Sequence, residues 1–161
     1  MDFYLKAFGP SYLQEATELW NEIVEDANSF PGDKPLTEEE ALKMFSEQTA
    51  TVCAVAGGRV IGLYILHPNG IGRLAHIANA SYAVKKGHRG KGLGRALVLD
   101  SLEKAKASGF LGLQFNAVVA SNTGAIALYL NLGFIIVGTV KNGYRTKDGG
   151  YCDMLIFQKS W

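Results

Sequence analysis

A mixed α/β sheet with helices on both faces is the fold the sequence predicts, in the order β-α-α-β-β-β-α-β-α-β-β. Three observations predict it. Short β-rich runs alternate with segments whose apolar residues recur at helical spacing. A glycine-rich stretch, "GHRGKGLGRAL" (87–97), stands between one such run and one such helix. Two further β-rich runs close the chain around a glycine-rich connection.

Taken in order, "DFYLKAF" (2–8) alternates like an opening strand, and Pro10 suits the first turn of a helix. In that helix Leu13, Ala16, Trp20, Ile23 and Ala27 fall on one face. "NSFPGDKPL" (28–36) is a loop. Thr37 followed by Glu40 forms a capping box that opens the second helix. Residues 49–66 read as two strands divided by Gly57-Gly58, a hairpin signal. After the loop "HPNGIG", "HIANASYAV" (76–84) is the next strand. The helix behind the glycine stretch runs to about Ser108, with Val98, Leu99, Leu102 and Ala105 on one face and Gly109 as its stop. "LGLQFNAVV" (111–119) is a strand, and Ser121 or Asn122 caps the last helix. Ala125, Leu128, Tyr129 and Leu132 share its apolar stripe, and Gly133 ends it. "FIIVGTV" (134–140) and "YCDMLIFQ" (151–158) form the closing hairpin.

Bulk composition narrows the function. With 161 residues, 48% of them hydrophobic, the whole of 1–161 is expected to be one domain. Sixteen Lys+Arg oppose 15 Asp+Glu, so no global charge draws the chain to nucleic acid or to an anionic membrane. Asp2 and Lys6 interrupt the short apolar start, and no run approaches the ~20 residues of a bilayer span. Cys53 and Cys152 fit no metal-ligand spacing and read as reduced core residues. A cytoplasmic protein without metal is therefore expected; a homodimer stays open.

Strand, glycine loop and helix together present backbone N–H groups to an anion. Glycine lets the chain come close to the ligand, and the first helical turn leaves its amides unpaired. Lys85, Lys86, Arg89, Lys91 and Arg95 surround the loop, with no acid between 85 and 95. In a chain of net charge +1 this concentration of cation points to a polyphosphate. A Walker A loop is excluded because Arg95-Ala96 follows Gly94 where Lys-Ser/Thr is required. A dinucleotide-binding fingerprint fits poorly, because "LGLQFNAVV" carries no acidic residue at its end.

Arg89-Gly90-Lys91-Gly92-Leu93-Gly94 resembles the Q/R-x-x-G-x-G/A motif of the GCN5-related N-acetyltransferase superfamily. "NTGAIALYLNLGF" (122–134) independently resembles that superfamily's N-x-x-A-I-x-L-Y-x-x-L-G-F signature. The resemblance implies that acetyl-CoA is the co-substrate. It implies that the backbone of Tyr82, Val84 and Lys86 faces the pantetheine arm and that the amides of 89–94 and Arg95 hold the pyrophosphate. It also puts Asn122 beside the pantetheine, and Tyr129 where the general acid protonates the departing thiolate. A side chain at Gly92 or Gly94 would obstruct the phosphates.

The general base is left open. "HIANASYAV" has no carboxylate, so His76, water on backbone carbonyls, or Glu25 or Asp26 would have to serve. Asn79 and Asn116 stand out because asparagine is disfavoured in strands. They either bond each other or meet a polar group of the acceptor. "HIANA" and "FNAVVASN" bear a short likeness to fungal acetyltransferases acting on proline-like imino acids.

In the superfamily the acceptor enters between the first helices and the closing hairpin. That location would bring Glu25, Asp26, Asn28, Phe30 and Asp33 opposite Tyr144, Arg145 and Tyr151. The expected acceptor is a small amine: an amino acid, an imino acid or an amine-bearing antibiotic. The alternatives are a non-catalytic acyl-CoA sensor, a longer acyl donor or an oxygen acceptor, and acetylation of a protein N-terminus or lysine.

Overall fold

A computed structural model describes residues 2–161. Strand β1 (Tyr4–Ala7) leads through a 3-10 turn into α1 (Leu13–Asp26) and α2 (Glu38–Ser46). Then come β2 (Ala50–Ala56), β3 (Arg59–Pro68), β4 (Ile77–Val84) and α3 (Leu93–Ala107). The chain closes with β5 (Gly112–Val119), α4 (Thr123–Asn131), β6 (Ile135–Arg145) and β7 (Tyr151–Ser160). The element order is the one expected from the sequence. The seven strands form one sheet in the order β1-β2-β3-β4-β5-β7-β6. None of the described helices is long and apolar enough to cross a membrane.

Local chemistry explains the element ends. Thr37 Oγ1 accepts from Glu40 N at 3.1 Å, and Glu40 Oε1 accepts from Thr37 N at 3.0 Å, so the capping box forms in both directions. The Thr37 backbone N–H first, and the Thr37 hydroxyl second, favour the ionised carboxylate and lower the Glu40 pKa. Helix α1 ends where Ala27 turns left-handed, with φ 54°. Gly57 and Gly58, at φ 56° and 77°, turn β2 into β3.

Each face of the sheet carries its own apolar cluster. α1 and α2 pack Leu19, Ile23, Ala41 and Phe45 against Cys53, Leu63 and Ala83. On the other face α3 packs Leu97, Val98, Leu102 and Ala105 against Ala78, Ala80, Phe115 and Phe157. The alternation along β4 is thus strict, with 78 and 80 on one face and 83 on the other. Burial pushes the Cys53 thiol up to about 12, as suits an inert core residue.

Two expectations are corrected. Leu99 is 44% exposed, because the packed face of α3 turns through Leu97, Val98, Ser101 and Leu102 instead. Ser101 can sit there because its hydroxyl is satisfied by Val98 O at 2.7 Å and by the Tyr82 hydroxyl at 2.6 Å. The second correction is that β6 runs on to Arg145, so the connection shrinks to residues 146–150. Gly138 and Asn142 mark irregularities within the strand, where pairing with β7 shifts register.

Candidate active site

The site begins as a fork in the sheet. Strands β4 and β5 pair in parallel at Ile77↔Gly112 and Ala78↔Leu113 only. Gly112 permits that close start, since a Cβ there would lie 3.1 Å from Lys159 O and 3.2 Å from Ile77 Cδ1. Beyond it β5 stays with β7 while β4 keeps its full ladder to β3. Lys85 N donates to Ile61 O and Ile77 O accepts from Asn69 N, so odd-numbered backbone groups of β4 point to β3. Period two then turns the backbone of Ala80, Tyr82 and Val84 towards the gap.

The gap is a cleft of about 200 Å³ that passes through the sheet. Phe30, Asn79 and Asn116 line it towards α1 and α2. Asn122, Ala125 and Tyr129 line it from the α4 side. Six of the sequence-predicted residues, Phe30, Asn79, Tyr82, Asn116, Asn122 and Tyr129, are thereby brought together.

The glycine loop follows the end of β4 at Val84 and leads into α3. Gly87, Gly90 and Gly92 have φ of 90°, 75° and 83°, which explains why glycine stands at these three positions. Gly92 also precedes α3, and no side chain caps that helix. Its first amides therefore face solvent with the positive end of the helix dipole behind them. Leu93 is buried at 1% exposure, so its side chain belongs to the core and only its amide is available to a ligand. A Cβ at Gly94 would touch nothing closer than Leu128 Cδ2 at 3.7 Å. The cations are partly engaged: Arg95 Nη1 donates to Asn131 Oδ1 at 2.6 Å, across to α4. Arg89 donates to Val84 O at 3.3 Å and to Asp26 at 3.2 Å, and Lys86 N donates to Glu22 at 3.1 Å. Lys91 and Gly90 are exposed.

Tyr129 stands among rings. Its centroid lies 4.5 Å from Phe115, 5.5 Å from Phe157 and 6.5 Å from Tyr82. Burial raises its pKa well above the ordinary phenol value, so it holds its proton at any working pH. Tyr82 is shifted the same way, by burial first and by Tyr129 second. Asn122 caps α4, its Oδ1 accepting from Ala125 N at 3.4 Å while it also lines the cleft.

The two strand asparagines do not bond each other. Asn79 Nδ2 and Asn116 Nδ2 both donate to Asn69 Oδ1, at 2.9 and 2.7 Å. Gln114 Nε2 then donates to Asn116 Oδ1 at 3.0 Å. Asn69 was not singled out from sequence, where "HPNGIG" reads as an ordinary turn. Only the oddity of asparagine in two strands hinted that a third polar group was needed.

Of the groups weighed as base, none lines the cleft. His76 is exposed ahead of β4, and its backbone O accepts from Leu111 N. Asp26 is paired with Arg89, and Glu25 with Lys147 at 3.3 Å. These acids serve instead to hold the surroundings of the cleft. Tyr144, buried at 9% exposure, donates to Phe30 O at 3.0 Å, and Arg145 reaches Asp33 at 3.4 Å. Lys147 also donates to Glu25 O. The β6–β7 hairpin is thus clasped to the end of α1 and the segment between α1 and α2, and the Phe30 ring packs tilted against Trp20 with centroids 4.3 Å apart. Tyr151 and Asn28 are exposed outside that clasp.

Comparison with known proteins identifies the family and the fold. The Acetyltransferase (GNAT) family matches over residues 13–134. N-acetyltransferase aca1 of Schizosaccharomyces pombe is 30% identical over 164 residues, spanning 91% of this chain and 78% of that protein. A GCN5-related N-acetyltransferase from Kribbella flavida superposes with a TM-score of 0.91 at 33% identity, over 99% of this chain and 98% of the other. A phosphinothricin acetyltransferase from Sinorhizobium meliloti, solved with acetyl-CoA, gives 0.92 at 25% identity, over 99% of this chain and 89% of that one. The chain belongs to the GNAT acetyltransferase family. It is an acetyl-CoA-dependent N-acetyltransferase.

Proposed function

We propose that the acceptor is a small carboxylated amine, an amino or imino acid or an amine-bearing antibiotic of that character. It is acetylated by direct attack within a ternary complex. The observation that carries this reading is the pair of amides, Asn79 and Asn116, held side by side in the cleft. Each nitrogen keeps a second N–H, and two neighbouring donors suit the two oxygens of a carboxylate. The clasp of Tyr144, Arg145 and Lys147 over the segment between α1 and α2 favours a small acceptor over an extended polypeptide.

Acetyl-CoA lies with its pyrophosphate on the amides from Arg89 to Arg95, including Gly90, Lys91, Gly92, Leu93 and Gly94. Its pantetheine runs along the edge of Tyr82, Val84 and Lys86 that no strand pairs, displacing Arg89 from Val84 O and Glu22 from Lys86 N, with Asn122 opposite. The neutral amine attacks the thioester carbon, the N–C bond forms and the C–S bond breaks. Tyr129 gives its proton to the departing sulfur. Burial keeps the phenol protonated, so Tyr129 stands ready as the hydrogen-bond and proton donor to that sulfur. With His76, Glu25 and Asp26 outside the cleft, the amine's proton leaves to water, which is also the source that restores Tyr129. The chain's location and any pairing with a second copy are not needed for this chemistry.

A panel of amines assayed for thiol release from acetyl-CoA tests the reading. Amino or imino acids are expected to be turned over with a much higher kcat/KM than their decarboxylated counterparts. Activity confined to lysine-bearing peptides would refute it.

A further inference from the structure

We infer that Asn69 is a positioning residue for the acceptor. It fixes which atoms of Asn79 and Asn116 face the cleft, an inference that rests on reading those two amides as acceptor contacts. Asn69 directly follows β3, and its own N–H donates to Ile77 O at 2.7 Å, closing the β3–β4 turn at the root of the fork. The turn is tight, since a Cβ at Gly70 would lie 2.7 Å from Leu74 Cβ. The side chain therefore sits at the point where β4 and β5 part, after the pairs Ile77↔Gly112 and Ala78↔Leu113.

The chemistry of that placement is specific. A primary amide can turn end for end and offer either oxygen or nitrogen to a ligand, and the two ends have opposite preferences. An amide oxygen turned towards a carboxylate is repulsive, while an amide N–H attracts it. By accepting one N–H from each partner, Asn69 Oδ1 favours the orientation in which both nitrogens lie at one place. Gln114 supports this by donating to the oxygen of Asn116. Among the described residues neither nitrogen has another acceptor, so the second N–H of each remains for the ligand. Asn69 lies outside the cleft lining and acts through the two residues that form it.

The test uses the full chain with acetyl-CoA and acceptor pairs differing only in the carboxylate: proline against pyrrolidine, and alanine against ethylamine. The readout is the ratio of kcat/KM within each pair, with acetyl-CoA affinity and Tm measured alongside. Asn69→Ala should raise the KM of the carboxylated member by about ten- to a hundredfold, the worth of hydrogen bonds to a charged group. Its kcat, acetyl-CoA affinity and activity on the uncarboxylated amine should stay near wild type. Asn69→Asp keeps the oxygen that both amides need, so its Tm should match wild type. Its added charge should nevertheless lower the ratio further. A ratio unmoved in Asn69→Ala but lowered in Asn79→Ala and Asn116→Ala overturns the role given to Asn69 alone. A ratio unmoved in all three overturns the reading of the acceptor on which it rests. Equal losses on both members of a pair, with a lowered Tm in Asn69→Ala, would reduce Asn69 to a turn residue.

Discussion

The guanidinium of Arg89 lies 3.2 Å from the carboxylate of Asp26, joining the glycine loop to the end of α1. In the proposed binding mode the same arginine opens the pyrophosphate loop, so an arriving phosphate would share it or take it. Asp26 would then oppose cofactor binding by a small amount, because a half-exposed ion pair is worth at most about 1 kcal/mol. Replacing Asp26 with Asn should tighten acetyl-CoA binding up to about fivefold at low ionic strength. The gain should fade as salt screens both interactions. Calorimetry at two salt concentrations decides it: weaker binding in the variant would mean that Asp26 orients Arg89 for the ligand.

Gly92 and Gly94 separate backbone strain from phosphate access. Gly92 sits at φ 83°, where a side chain costs about 1–3 kcal/mol in the free protein as well. Gly94 has no such conformation, and its nearest neighbour to a new Cβ is 3.7 Å away. Gly94→Val, a larger side chain than the Gly or Ala that the motif takes there, should therefore keep the wild-type Tm yet lose acetyl-CoA affinity by tenfold or more, about 1.4 kcal/mol. Gly92→Val should lose both. Unchanged affinity in Gly94→Val would detach the pyrophosphate from this loop.

Much of this arrangement was legible because its causes are local. The Thr37–Glu40 box, the Gly57-Gly58 turn and the glycine loop each act within a few residues, and all three formed as expected. The amides of Asn79 and Asn116 drew notice because they break strand propensity, and both line the cleft. What sequence could not supply depends on distant partners. Asn69 reads as turn chemistry until the sheet brings it to Asn116, 47 positions away. Tyr144 bonds to Phe30 across 114 positions, so the clasp has no local signature. The extent of β6 was misjudged because Asn142 and Gly143 look like turn residues but lie where a continuing strand shifts register against β7. Leu99 failed for a subtler reason: helical spacing gives a stripe but not its centre, and Ser101, satisfied by Tyr82, holds the middle of it.

Tyr129 carries the final prediction. Its ring touches Phe115, Phe134 and Phe157, and these contacts survive replacement by Phe. Tyr129→Phe should accordingly keep its Tm and its acetyl-CoA affinity. Only the hydroxyl proton is lost, and a thiolate leaves readily without help because a free thiol titrates near ~8.5. General acid catalysis typically gives roughly 10²–10⁴-fold, and an easy leaving group belongs at or below the low end. We expect kcat to fall by about tenfold to a few hundredfold. The pH profile follows from the sign of the pKa shift. Burial raises the folded-state pKa, so the active, protonated phenol persists above the ordinary value of about 10. The rate should still be rising at about pH 10 as the acceptor amine loses its proton, with no descending limb below the phenol's ordinary range. The Phe variant should trace the same profile at a lower height. A descending limb in the wild type below pH ~10 that disappears in Tyr129→Phe would show that the phenol titrates freely and that its burial does not govern catalysis. Wild-type kcat in the variant, in an assay limited by chemistry, would leave Tyr129 as a packing residue alone.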